Sequence, residues 1–253
     1  MSVEAPNSIK FQSQLSQTNK HQNSFLKTEF ENALKYESAI FSQRSDHTPK
    51  SPQKNIVWME YNGASKQNTE DVLMKLNNEK KPILLKFTNV KSNEVNFLGL
   101  LKGISTRQNM QHLIVRHSNL SLNHMQTIAR VLQLNDGIAW LVLDKNKIDD
   151  RGIRYLAEGL EKNKGVEHIV LSDNNFGDEG IIELSKAVKN SPKVKSLWIQ
   201  GNHIQDQGVE ALMVSLNGHP GLKTLDIRDN YLSNAKKELL KNICNQNGIR
   251  LYA

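Results

Sequence analysis

The sequence predicts an α/β solenoid, with a parallel sheet on a concave face and helices on the convex face. Three observations predict it. A short apolar pattern recurs at a step of 28 residues, seven times, without an insertion. A pair of apolar residues four apart follows each copy at a constant offset, the spacing of one helix face. Hydrophobic residues make up 38% of 253, low for a compact globule but workable for stacked units that share one continuous core.

The pattern is clearest in Leu141-Val142-Leu143-Asp144-Lys145-Asn146-Lys147-Ile148, which reads L-x-L-x-x-N-x-I. One step on stand Ile169, Leu171, Asn174 and Phe176. The next two steps give Leu197, Ile199, Asn202 and Ile204, then Leu225, Ile227, Asn230 and Leu232. Backwards, Leu113, Val115 and Leu120 fit with Ser118 at the asparagine position. Leu85 and Phe87 fit with Val90 there, and Val57, Met59 and Asn62 fit with Ala64 last. Strands are therefore expected from about residues 57, 85, 113, 141, 169, 197 and 225.

The helical half is marked by Val72 and Leu76, Leu100 and Ile104, Ile128 and Leu132, Leu156 and Leu160, Leu184 and Val188, and Leu212 and Leu216. Asp150, Asp178 and Asp206 stand two residues before Gly152, Gly180 and Gly208. Each aspartate reads either as a helix cap or as a loop carboxylate in water. The asparagines fall in the core, so their amides need partners. A ladder of Asn146, Asn174, Asn202 and Asn230 can bond the backbone of the turns that leave the strands. Asn163 lies outside the pattern and reads as a surface residue.

From about Ile56 to Ala253 these motifs resemble the leucine-rich repeat of the ribonuclease-inhibitor type. The resemblance implies a horseshoe with one strand and one full helix per repeat, and a general binding scaffold rather than a particular activity. Ser118, Val90 and Ala64 depart from the pattern and suggest an irregular, partly capping N-terminal end.

The expected organisation is a polar N-terminal segment, residues 1–54, and a repeat domain of seven repeats with a C-terminal cap, residues 55–253. The first segment is rich in Gln, Ser, Asn and Lys and lacks the repeat phase. It is read as mostly disordered, with residues 1–24 dispensable for folding. A stretch from Phe25 to Phe41 with near-helical apolar spacing either docks as a cap or forms a transient helix. At the other end, Lys236, Lys237 and Lys241 replace apolar residues on the last helix, and Ile249 to Tyr252 reads as a stub of an eighth strand.

Composition excludes several classes. One cysteine permits no internal disulfide and favours a reducing, cytoplasmic setting. No apolar run is long enough to span a membrane. The net charge of +7 comes from scattered lysines without a dense basic run, which reads as solubility rather than nucleic-acid binding. No cofactor-binding glycine motif occurs. Cys244 falls in the core column of Leu160, Val188 and Leu216, and reads as buried rather than nucleophilic. His112 and His168 share a strand column two repeats apart, too far to share one zinc ion at about 4.8 Å per strand.

If Leu141 and Leu143 point inward, their neighbours point outward. One outward column then holds Trp58, Lys86, Ile114, Val142, Val170, Trp198 and Asp226. Another holds His112, Trp140, His168 and Ser196, and a third holds Arg116, Asp144, Ser172, Gln200 and Arg228. Tyr61 is expected just before the ladder, in the position of Lys145 and Asp173. All three tryptophans fall in these columns, and tryptophan anchors interfaces. The predicted partner-binding face is Trp58, Tyr61, His112, Ile114, Arg116, Trp140, Val142, Asp144, His168, Val170, Trp198, Gln200, Asp226 and Arg228. Its apolar members are expected in solvent, unless strand propensity alone placed them there or the N-terminal segment covers them.

The functional expectation is a non-enzymatic protein-interaction module, acting as inhibitor, adaptor or scaffold, with no cofactor. Two alternatives are a small-GTPase regulator resembling Ran GTPase-activating proteins, and a bacterial effector acting on a host protein.

Overall fold

The computed structural model describes residues 56–91 and 95–253; the expectations for residues 1–54 lie outside the described residues. Strands and helices alternate from end to end. The strands are β1 (Val57–Asn62), β2 (Ile83–Thr88), β3 (Met110–Arg116), β4 (Trp140–Val142), β5 (His168–Val170), β6 (Ser196–Trp198), β7 (Thr224–Asp226) and β8 (Arg250–Tyr252). Between them lie α1 (Lys66–Asn78), α2 (Val95–Ile104), α3 (Leu122–Leu134), α4 (Asp150–Leu160), α5 (Asp178–Lys189), α6 (Asp206–Leu216) and α7 (Asn234–Gln246). The eight strands form one parallel sheet in sequence order, an α/β solenoid as the repeat predicts. The stub at the C-terminus is a true eighth strand paired with β7.

Register follows the repeat. Leu141 pairs with Ile169 and Ile169 with Leu197, each one step apart. The first pair breaks the rule: Val57 faces Ile83, Met59 faces Leu85 and Tyr61 faces Phe87. β1 is thus slipped by two residues against the predicted phase. An even slip keeps every side chain on its own face, but it moves Tyr61 beside Phe87, where the rings stack at 5.4 Å. The Tyr61 hydroxyl donates to Asp71 Oδ2 on α1 at 2.7 Å. Tyr61 therefore packs against the helix-side core and leaves the predicted binding face. The slip also places exposed Asn62 outside the ladder.

The core between sheet and helices holds the predicted columns, from Val72, Leu76, Leu85 and Phe87 to Leu240 and Cys244. The asparagine ladder reaches backwards to the preceding repeat. Asn174 Nδ2 donates to Leu143 O at 3.0 Å and to Leu171 O at 2.9 Å. Its Oδ1 accepts from the Asn146 and Ile148 amides, both at 3.0 Å. Asn146, Asn202 and Asn230 make the equivalent donations to Val115, Leu171 and Ile199. Ser118 performs half the task, accepting from Val90 N at 3.1 Å. Val90 is buried and apolar, so the ladder ends there.

Just before the ladder the chain turns sharply. Asn89, His117, Lys145, Asp173, Gly201 and Asp229 all have φ between +51° and +66°, a left-handed conformation that costs most residues about 1–2 kcal/mol. They tolerate it because the sheet bonds continue through them, as in Lys145 N to Ser172 O at 3.0 Å and Asp173 N to Gln200 O at 2.8 Å.

A second ladder runs along the helix C-terminal turns, and it corrects the reading of Asn163 as a surface residue. Asn163 is buried. Its Nδ2 donates to Leu132 O and Asn135 O, and its Oδ1 accepts from Gly165 N and Val166 N, at 2.8–2.9 Å. Arg107, Asn135, Ser191, His219 and Asn247 occupy the same offset. Arg107 Nη1 donates to Leu76 O, Asn135 Nδ2 to Ile104 O, Ser191 Oγ to Ala187 O and Asn247 Nδ2 to Ile243 O. The His219 ring accepts from Gly221 N and Leu222 N through Nδ1 and meets Val188 O through Nε2.

The aspartates before the helices also act between repeats. α4 is capped by Asp149, whose side chain accepts from Gly152 N. Asp150 serves the next repeat, accepting from Gly177 N at 2.7 Å and Gly180 N at 2.8 Å. Asp178 and Asp206 do the same for Gln205 N and Ser233 N. Neither a cap on its own helix nor a solvated carboxylate describes them.

Both ladders satisfy buried backbone groups, so removing either amide leaves those groups unpaired. Asn174→Ala and Asn163→Ala are each expected to lower stability by about 1–3 kcal/mol, while exposed Asn175→Ala should change it by less than about 0.5 kcal/mol. Urea unfolding midpoints of the three variants check this; a neutral Asn163→Ala would remove the second ladder's role.

Candidate interaction face

On the side of the sheet opposite the helices, the alternation is as predicted, but the exposure is not. Leu84, Ile114, Trp140, Val142, Val170 and Trp198 are all buried, yet none belongs to the helix-side core. They form a second apolar layer, so the central strands β4 to β7 are buried on both faces. Trp198 is 0% exposed and Trp140 8%. The expectation that these residues stand in solvent is overturned; Trp58, on the first strand, remains half-buried with its indole donating to Glu60 Oε2 at 3.3 Å.

The layer is organised by stacked rings. Trp140 lies on His168 with centroids 3.8 Å apart and planes within 16°. His112 stacks at 6.0 Å beyond Trp140, and Trp198 lies 5.9 Å from Trp140 and 6.1 Å from His168. Strand register produces this, because His112, Trp140 and His168 are direct neighbours on β3, β4 and β5. The imidazoles do not converge on a metal, since the indole separates them. Burial pushes the His112 pKa down to about 4 and that of His168 down to about 3, with Lys195 and His112 adding to the latter. Both rings are neutral at pH 7.

Charge on this face is arranged in pairs. Arg116 grips Asp144 with two fingers, Nε to Oδ1 at 2.8 Å and Nη2 to Oδ2 at 2.7 Å. Arg228 holds Asp226 of its own strand end at 3.0 and 2.6 Å. Lys86 meets Glu60 at 2.6 Å, a contact made by the two-residue slip of β1. Asp144 and Asp226 are buried, so each needs its arginine to offset desolvation. At the strand ends the left-handed residues His117, Asp173 and Asp229 are exposed, and Lys145 is half-buried. They form a polar rim beside the aromatic layer.

Four polar atoms of this face are buried and lack a hydrogen-bond partner among the described residues: His168 Nδ1, Ser172 Oγ, Trp198 Nε1 and Gln200 Oε1. They sit on β5, β6 and the residues just beyond, and sequence reasoning gave Ser172 no role. Elsewhere, no group of three or more His, Cys, Asp or Glu among the described residues could hold a metal ion. Cys244 is buried, and burial pushes its thiol up to about 11, which suppresses the thiolate that a nucleophile requires. No helix of the described residues is long and apolar enough to cross a membrane.

Trp198 is closed off from solvent, so Trp198→Ala should cost about 3–5 kcal/mol of stability, and indole emission from Trp140 and Trp198 should be blue-shifted and resist acrylamide. The depressed histidines give a pH dependence. Each is neutral when folded and titrates near 6.5 when unfolded, so its stabilisation is full above pH 6.5 and declines as pH falls towards 4. Thermal midpoints between pH 7 and 5 should fall, and fall less in His168→Gln.

Comparison with known proteins finds a repeat match in part of the chain. A family model described as a leucine-rich repeat matches residues 162–185 and 190–213, two stretches offset by the same step as the strands. No curated protein sequence matches the chain. Among solved structures it is similar to the actin-binding site 2 of leiomodin-1, at 19% identity over 40% of this chain and 60% of that one, with a TM-score of 0.37. The chain thus spans less than two thirds of that leiomodin chain. It is also similar to an internalin from Listeria monocytogenes str. 4b F2365, at 12% identity over 72% of this chain and 70% of that one, with a TM-score of 0.27.

Proposed function

We propose that this chain is a non-enzymatic protein-interaction module that engages a partner protein over the helix-free face and its strand-end rim. The observation that carries this reading is the ring stack His112, Trp140, His168 and Trp198, set between two internally paired charge clusters. Sheet propensity favours aromatic residues in strands, but it does not require four rings in contact across four consecutive strands. The buried ring stack makes the sheet a rigid support for the exposed rim residues His117, Asp173 and Asp229, so a partner that seats on the rim loses little entropy.

Leucine-rich repeats of the ribonuclease-inhibitor type, the subclass this chain resembles, fit a full helix in every repeat. The role is that of an inhibitor, adaptor or scaffold in a reducing compartment such as the cytoplasm. Burial keeps His112 and His168 neutral and the Cys244 thiol protonated at neutral pH. No observation singles out the GTPase-regulator or effector alternatives.

The test is site-specific photo-cross-linking. A photoreactive residue at Lys145 or Asp229, on the rim, should capture protein from a eukaryotic lysate, whereas one at exposed Glu158 on α4 should not. Equal capture from both sides of the sheet would overturn the reading.

A further inference from the structure

The fold gathers cations that the sequence scatters. Lys162 and Lys164 lie in the turn from α4 into β5, and Lys193 lies in the turn from α5 into β6. Lys195 and Lys223 stand immediately before β6 and β7, and Arg250 opens β8. All six line the edge where the strands begin, at the opposite strand ends from Lys145 and Asp229. All are exposed except half-buried Lys195. We infer that this edge docks an acidic polypeptide segment of a partner protein, a run of Asp or Glu laid across the starts of β5 to β8.

The fold itself makes little use of these charges. Lys195 and Lys223 directly precede Ser196 and Thr224, which pair across the sheet. Two like charges therefore stand side by side on neighbouring strands, an unfavourable arrangement. The Arg250 amide donates to Lys223 O at 2.8 Å, which brings a third cation to the next strand. Glu167 offsets Lys195 alone, at 2.6 Å. Among the described residues, Lys162, Lys164, Lys193, Lys223 and Arg250 make no ion pair. Helix dipoles do not account for them. α4 and α6 carry no basic residue in their last turns, and the six cations lie past the helix ends, where the dipole has fallen off. At the other edge the charges are engaged: Asp144 and Asp226 hold arginines, and Asp150, Asp178 and Asp206 accept backbone amides.

The second ladder fixes the turns that carry these cations. Asn163 sits between Lys162 and Lys164, Ser191 stands two residues before Lys193, and His219 bonds the backbone that leads to Lys223. The backbone is thus ordered before a partner arrives, which lowers the cost of binding. Lysine is a point charge on a flexible stem, suited to carboxylates spaced along an extended run. From β5 to β8 the edge crosses three strand gaps, about 14 Å, the length of about four extended residues. Nucleic acid fits less well. Single strands bind by stacking bases on aromatic rings, and the one ring in these turns, His219, is buried against Val188 O. A duplex is read by a helix or ribbon in a groove, whereas this edge presents turns. A membrane surface lacks an anchor here, because none of the exposed large apolar residues lies in these turns.

Fluorescence anisotropy of a labelled peptide of eight glutamates, titrated with the full chain, tests this. The peptide should bind in about 50 mM salt and weaken steeply as salt rises to about 300 mM. The double variant Lys193→Glu, Lys223→Glu should bind it about ten-fold more weakly or worse. A double variant of equal net charge, Lys102→Glu with Arg130→Glu on the helices, should lose less than about three-fold. All four residues are exposed, so thermal midpoints should stay close to the wild type. No binding of the peptide, or equal losses in the two double variants, would overturn the site. Tighter binding of a DNA duplex or of anionic lipid vesicles, weakened by the same Lys193 and Lys223 changes, would overturn the choice of occupant. The helix-free face is read out separately, through Lys145 and Asp229 at the opposite strand ends.

Discussion

The structure depends on one constraint, the need to pair the backbone groups that each strand abandons when it turns toward its helix. At that corner an N–H and a C=O point into an apolar core where water cannot reach. A side-chain amide carries both a donor and an acceptor and is the smallest group that can answer both. Asn174 does so for the corner of the repeat before it, at Leu143 O and Asn146 N. The left-handed turns follow. Beyond β4 and β5 the sheet bonds run on through Lys145 and Asp173, and the amide stands one residue later.

The two faces of the sheet are stabilised by different means. Against the helices, aliphatic side chains interlock in the usual way of a stacked repeat. On the opposite face, stacked rings and bidentate ion pairs take their place. Buried charge contributes less to net stability than apolar packing, but a buried pair is intolerant of wrong partners. The rings and ion pairs of the helix-free face are not dictated by the repeat pattern, and that is why the functional reading rests there.

Much of this was legible in the sequence because the repeat is local. Leu141, Ile169 and Leu197 announce neighbouring strands by position alone, and Cys244 announces its burial by falling in a leucine column. Other features were hidden for identifiable reasons. The second ladder uses Arg107, Asn135, Asn163, Ser191, His219 and Asn247, so the offset is constant while the chemistry of the side chain changes. A search keyed to residue type passes over it, and Asn163 then looks like a surface residue. The slip of β1 comes from the packing of Tyr61 on Phe87, a choice between two even registers that alternation cannot make. Alternation likewise assigns Trp140 and Trp198 to a face, but not the exposure of that face.

The hydrogen bonds between repeats point in both directions along the chain. Asn174 serves the preceding repeat, while Asp150 serves the following one. Their reach is set by the period, and equivalent atoms recur one step further on, as in Asp178 and Asp206. Removing or duplicating a block of one full period within β4 to β7 would bring equivalent atoms to equivalent places, whereas a cut of any other length would strand an amide on one side and a carboxylate on the other. The interlock between repeats is thus kept only when the chain changes length in whole steps.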